Sequence, residues 1–149
     1  MSAQEKAQRP VEILVVEDSP GDARLIREAL KDGQIEKRLS VVTDGEAAVA
    51  FLRHHEPFAQ SPRPDLILLD LNLPRKDGRQ VLAEIKADPS LRRIPVIVLT
   101  TSRAEQDVLT SYDLHANCYI TKPVDLDEFL TIAKWIEGFW LTIVRLPME

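Results

Sequence analysis

The sequence is short of cysteine, of aromatic residues and of positive charge, and each shortage excludes something. A single cysteine, Cys118, cannot form an intrachain disulfide. Such sparing use fits a reducing, cytoplasmic setting, and Cys118 itself reads as a small core residue. The first residues, Met1-Ser2-Ala3-Gln4-Glu5-Lys6, are polar and lack the apolar stretch of a secretory signal. Apolar runs such as Val96-Ile97-Val98-Leu99 are far too short to span a bilayer. Lys and Arg number 19 against 24 Asp and Glu, a net charge of -5, which argues against a general nucleic-acid binder. Aromatics make up 5% of the chain, and the basic pairs Arg75-Lys76 and Arg92-Arg93 have none interleaved, so they read as solvated faces. His54, His55 and His115 have no second ligand at metal spacing and read as surface residues. No internal repeat or low-complexity stretch is visible.

What is present suits one globular domain. The chain has 149 residues, 44% of them hydrophobic and 29% charged, near the averages for folded domains. At this size roughly 70% of the unfolded surface can be buried, so no metal or disulfide is needed to complete a core. Residues 1–10 read as a mobile polar arm ending at Pro10. Five short apolar runs then appear: Ile13-Leu14-Val15-Val16, Leu39-Ser40-Val41-Val42, Leu66-Ile67-Leu68-Leu69, Val96-Ile97-Val98-Leu99 and Cys118-Tyr119-Ile120. Helical periodicity lies between and after them. Leu25, Ile26, Ala29 and Leu30 recur at helical spacing behind a possible Ser19 cap and Pro20, and Gly33 ends that segment. Further helices are expected over 47–52, around Val81, Leu82 and Ile85, over 104–114, and after Asp125, which with Glu128 resembles a capping box. Pro57, Pro62 and Pro64 mark a loop, and residues 73–78 read as a turn. Continuous rather than alternating strands, separated by helices, indicate a parallel sheet covered on both faces. Right-handed crossovers make it doubly wound.

In such a sheet the site lies beyond the carboxyl ends of the strands. The residues there are Glu17-Asp18, Asp70, Thr100 and Lys122. Three carboxylates on one rim are unfavourable, since two unit charges about 4 Å apart repel by roughly 4 kcal/mol at an effective dielectric near 20. A divalent cation resolves the conflict, and an all-oxygen donor set favours magnesium over zinc. Asp70, held by a buried strand, can attack phosphorus to form an acyl phosphate. Lys122 can neutralise phosphoryl charge and Thr100 can donate a hydrogen bond to it. Singly, each residue has a plain reading: a helix-dipole acid, a strand-ending polar residue, a cap, a solvated lysine. Four such coincidences at four strand ends are improbable together.

The segments Ile13–Asp18, Leu66–Pro74, Pro95–Thr100 and Tyr119–Pro123 closely resemble the receiver domain of two-component response regulators. The resemblance covers about Val11 to Gly138. It implies a five-stranded, flavodoxin-like α/β fold with strand order 2-1-3-4-5. It also implies that Asp70 accepts a phosphoryl group from a phosphohistidine of a sensor histidine kinase. Asp18, Asp70 and the backbone carbonyl of Asn72 would hold Mg2+, with Glu17 acting through water. Thr100 and Tyr119 would form a switch pair, with a permanently packed strand aromatic as the less favoured reading of Tyr119. Lys122 would contact the phosphate, and Lys122–Pro123 would be a cis peptide where the residues alone favour trans. Residues 139–149, in the run Phe139–Pro147, look like the end of small receivers paired with bacterial phytochromes. The run Glu17–Asp22 and the proline-bearing segment before the third strand look like that group too. Residues 139–149 form a C-terminal extension too short for an output domain, so output is expected through protein contact. The protein is expected to be a phosphoacceptor rather than a turnover enzyme, with no nucleic-acid or membrane partner.

Two other functions share this architecture. An FMN protein would need hydroxyls and backbone donors after the first strand, where Glu17-Asp18 would repel the phosphate. An aspartate-nucleophile phosphatase of haloacid dehalogenase type carries a second Asp two residues after the nucleophile; here that position is Asn72, which cannot shuttle a proton. A non-phosphorylated interaction module is a third reading, against which the Asp70, Thr100 and Lys122 set argues.

The last helix carries more apolar surface than one core face needs. Phe129, Ala133, Ile136 and Trp140 fall on one stripe, with Leu126, Leu130 and Val144 beside it. Ile132, Trp135, Phe139 and Ile143 form a neighbouring stripe. The combined arc exceeds the roughly 100° of an amphipathic helix. A two-fold homodimer through the second stripe is the preferred expectation, and a tail folded back within one chain is the alternative.

Overall fold

The computed structural model describes residues 10–31, 33, 35–100, 118–123 and 125–138. Five parallel strands form one sheet in the order β2-β1-β3-β4-β5, as expected. The strands are β1 (Val11–Val16), β2 (Lys37–Val42), β3 (Leu66–Asp70), β4 (Val96–Thr100) and β5 (Cys118–Thr121). The described helices are α1 (Pro20–Lys31), α2 (Gly45–Leu52), α3 (Gly78–Ala87) and α4 (Leu126–Trp135). The arm at 1–9, the helix expected over 104–114 and the extension 139–149 lie outside the described residues. Among the described residues, no helix is long and apolar enough to cross a membrane.

The unbroken apolar runs have a direct cause. Successive strand residues point to opposite faces, and both faces are covered. Leu14, Val16, Ile67, Leu69, Val96 and Val98 pack with Phe51, Val81, Leu82 and Ile85 of α2 and α3. Val11, Ile13, Val15, Leu66, Leu68, Ile97 and Leu99 pack with Ile26, Ala29 and Leu30 of α1 and Phe129, Ala133 and Ile136 at α4 and its end. Cys118 is half-buried against this second layer, and burial pushes its thiol up.

Side-chain caps set the helix starts. The Asp22 amide donates to Ser19 Oγ at 3.3 Å, so Ser19 caps α1 ahead of Pro20. Asp44, read from sequence as part of a turn, caps α2 by accepting from the Ala47 amide at 2.7 Å, so α2 begins at Gly45 rather than 47. Asp125 accepts from the Glu128 amide at 2.9 Å. A complete capping box, which the sequence reading missed, opens α3: Asp77 accepts from the Gln80 amide and Gln80 reaches back to the Asp77 amide.

Several finer expectations are corrected. Leu126, placed beside the sheet-facing stripe, is 40% exposed, because it sits at the first turn of α4 beyond the edge of the layer. Ile132, placed on the outer stripe, is half-buried and packs against the core. Lys76 is half-buried and bonds Glu84 rather than being merely solvated, whereas Arg75 is exposed as expected, with Nε 3.6 Å from Asp44 Oδ2. The cis peptide among the described residues is Glu56–Pro57; Lys122–Pro123 keeps the default trans form.

The loop between Asp70 and α3 is pressed between two glycines. A Cβ on Gly78 would lie 2.5 Å from both the Asp70 carbonyl oxygen and Leu71 Cα. A Cβ on Gly45 would lie 1.7 Å from the Lys76 carbonyl oxygen. Neither position demands an unusual φ, so the requirement is for space alone. Gly45→Ala would gain helix propensity, but the overlap is with backbone and cannot be relieved by a rotamer. We expect a net destabilisation of about 1–3 kcal/mol, read as a lower urea midpoint; an unchanged midpoint would show that the loop yields without cost.

Candidate functional site

The strand register builds the site. Val15 pairs with Leu68 and Val16 with Leu69, so one step further Glu17 comes beside Asp70. Both carboxylates are buried, at 1% and 2% exposure, whereas Asp18 is exposed. Oxygens of Glu17, Asp18 and Asp70 all lie within 4.8 Å of one another. Asp70 Oδ1 accepts from the Asn72 amide at 3.0 Å, and Glu17 Oε2 accepts from the Ser19 amide at 3.1 Å. Each buried acid is thus fixed by the backbone of the loop that follows its strand.

Lys122 supplies the positive charge. Its Nζ lies 2.8 Å from Glu17 Oε1, 2.8 Å from Asp22 Oδ2 and 3.0 Å from Asp70 Oδ2. Burial alone would pull the ammonium down, but Asp22, Glu17 and Asp70 together hold it above its ordinary value. Burial pushes the Glu17 carboxyl up to about 7; Lys122 and the Ser19 amide oppose that rise, and Asp70 adds to it. One ammonium is shared by Glu17, Asp22 and Asp70, and Asp18 adds a further acid alongside, so negative charge is in excess at the pocket.

The residues fit a divalent cation. The donors are all oxygens, two are buried at the ends of rigid strands, and the exposed Asp18 leaves an open side. Asn72, expected to contribute its carbonyl, sits two residues beyond Asp70 and is exposed. Thr100 closes β4 beside Thr121, but its side chain and residues 101–117 lie outside the described residues. Tyr119 is half-buried and packs against the α2–α3 layer. Pro123 is buried directly after Lys122. Asp22 is the member that sequence reading did not place here. In the sequence it is only an acid in the first turn of a helix.

An open parallel sheet with an acidic pocket and a lysine at its carboxyl edge is the arrangement expected of a two-component receiver. Residues 13–134 match the response regulator receiver domain, and the chain belongs to that family. It is 56% identical over 138 residues to response regulator Rcp1 of Synechocystis sp., covering 93% of this chain and 94% of Rcp1. The crystal structure of the Mn2+-bound form of Rcp1 matches with a TM-score of 0.84, covering 93% of this chain and 99% of that one. The phosphorylated cyanobacterial phytochrome response regulator RcpA matches at 54% identity with a TM-score of 0.86, over the same shares.

An ion that binds only the folded chain adds stability, about 2.7 kcal/mol at 100 times its Kd. Mg2+ or Mn2+ should therefore raise the Tm of the parent. Asp18→Ala should lose most of that increment, and an equal increment in both proteins would remove Asp18 from the donor set.

Proposed function

We propose that this chain takes a phosphoryl group on Asp70 from the phosphohistidine of a sensor histidine kinase. The observation that carries this reading is the buried Asp70 carboxylate, held at one oxygen by the Asn72 amide and at the other by Lys122, with Glu17 and Asp18 alongside. An Asp70 oxygen attacks phosphorus, the O–P bond forms as the N–P bond breaks, and the imidazole nitrogen leaves with the electron pair. Lys122, already at the pocket, turns a donor to the phosphoryl oxygens. Asp18, Asp70, the Asn72 carbonyl and, through water, Glu17 would hold Mg2+, which offsets the charge of phosphoryl group and carboxylates. Thr100 would donate to the phosphoryl group and Tyr119 would follow it. The chain would phosphorylate itself from small acyl phosphates and slowly lose the group by hydrolysis.

The proposed kinase is a bacterial phytochrome, supported by the likeness to RcpA, a phytochrome response regulator. The receiver would span 11–138, flanked by the arm and the extension, in the cytoplasm. Replacing Asp70 with Asn keeps the size and removes the nucleophile. Intact mass spectrometry should find a phosphoryl adduct on the parent, from either a phosphorylated phytochrome kinase or a small acyl phosphate, and none on Asp70→Asn. Full labelling of the mutant would place the acceptor elsewhere. Transfer from unrelated kinases but not from phytochromes would keep the acceptor and change the partner.

The proposed homodimer contact is the outer side of α4 with the adjacent face. Trp135 is 42% exposed there, with Leu126 also exposed, and a Trp can bury on the order of 150–250 Å². Ile132 contributes from beneath; Phe139 and Ile143, the other members of the expected stripe, lie outside the described residues. Trp135→Glu with Phe139→Glu should give a folded, phosphorylatable monomer by sedimentation, because a buried unpaired charge is costly. A parent that stays monomeric at tens of micromolar, with and without phosphoryl donor, excludes the dimer.

A further inference from the structure

Three carboxylates share the Lys122 ammonium, and one of them stands outside the cation pocket. Glu17 and Asp70 belong to the group of converging oxygens, whereas Asp22 does not. Asp22 sits in the first turn of α1, its side chain 32% exposed, with Oδ2 2.8 Å from Nζ. We propose that Asp22 is a positioning residue that retains Lys122 at the pocket wall when a divalent cation engages Glu17 and Asp70. The inference rests on the phosphoacceptor reading of the pocket.

Three carboxylates lie within 3.0 Å of this one ammonium, and the contact to Asp70 Oδ2 is a hydrogen bond. A dication and an ammonium compete for the same anions and repel each other. Without a further anion, the lysine either resists the ion or leaves the pocket. Asp22 offers that anion from a fixed position, since its own amide is bonded to Ser19 Oγ. The same Ser19 binds Glu17 through its amide, so one capping residue ties the pocket acid to the acid that draws the lysine aside. Pairing with Asp22 lowers the competition for Glu17 and Asp70 and leaves Lys122 within reach of an incoming phosphoryl group. A plain role as a helix-dipole acid would also account for an Asp in a first turn. That role would affect stability but would not depend on Lys122.

A double-mutant cycle on the full chain separates the two, with Mn2+ as the probe and calorimetric titration as the readout. Asp22→Asn should weaken Mn2+ binding about five- to tenfold. In the Lys122→Ala background, where nothing competes, the same substitution should change affinity by less than about twofold. Asp22→Glu, which keeps the charge, should stay near the parent. Parent-like affinity in Asp22→Asn overturns the proposal, and so does an equal loss in the Lys122→Ala background, which would make Asp22 a simple distant charge. A parent chain that binds no Mn2+ removes the phosphoacceptor reading and this inference together. A parent that binds Mn2+ and takes phosphate while Asp22→Asn behaves alike removes the inference alone.

Discussion

Glu17 and Asp70 are buried side by side, and their mutual repulsion has to be met by positive charge from elsewhere in the chain. Lys122 meets it. Its ammonium lies within 3.0 Å of both acids and of Asp22. The acids come from two central strands and the lysine from beyond the edge strand β5, so this contact ties the end of the chain's sheet to its middle. A buried pair of this kind is weak evidence for stability, because desolvation consumes much of the attraction. Its value lies in what it leaves poised: two fixed carboxylates, one movable cation and an excess of negative charge open to solvent on the Asp18 side.

The loop after β3 serves the same pocket by other means. Amides at its two ends are spent locally, Asn72 on Asp70 Oδ1 and Gly78 on the Leu71 carbonyl. Arg75 adopts a positive φ and reaches Asp44, while Lys76 lies on Gly45 and bonds Glu84. The start of α2 thus becomes part of the floor on which the phosphoacceptor loop rests. Two helices on one face of the sheet brace the loop, and α1 on the other face brings Asp22 to the lysine.

Helix α4 divides its surface between two tasks. Phe129 and Ala133, with Ile136 after them, complete the layer against α1 and the sheet. Trp135 is left facing outward. Ile132 lies between these sides, half-buried against the core, where a stripe drawn at 100° per residue put it wholly on the outer one.

Much of this was legible in the residues. Burial of both faces turns strands into unbroken apolar runs, so Leu66–Leu69 and Val96–Leu99 announced a parallel sheet. Each run stops where the chain must carry a polar group at the open edge, which pointed to Glu17, Asp18, Asp70, Thr100 and Lys122. Local chemistry also identified Ser19 and Asp125 as caps, because a cap depends on residues three positions away. What sequence could not give were contacts between distant segments. Asp22 looked like any first-turn acid until the sheet brought β5's end over to α1. Gly45 and Gly78 looked like ordinary turn residues until the fold laid backbone against them. The sequence by itself determined the fold class and the chemistry at the strand ends, because periodicity and residue type are local properties. Only the tertiary structure decided which acids share the lysine, because that depends on distances across the sheet that no local pattern encodes.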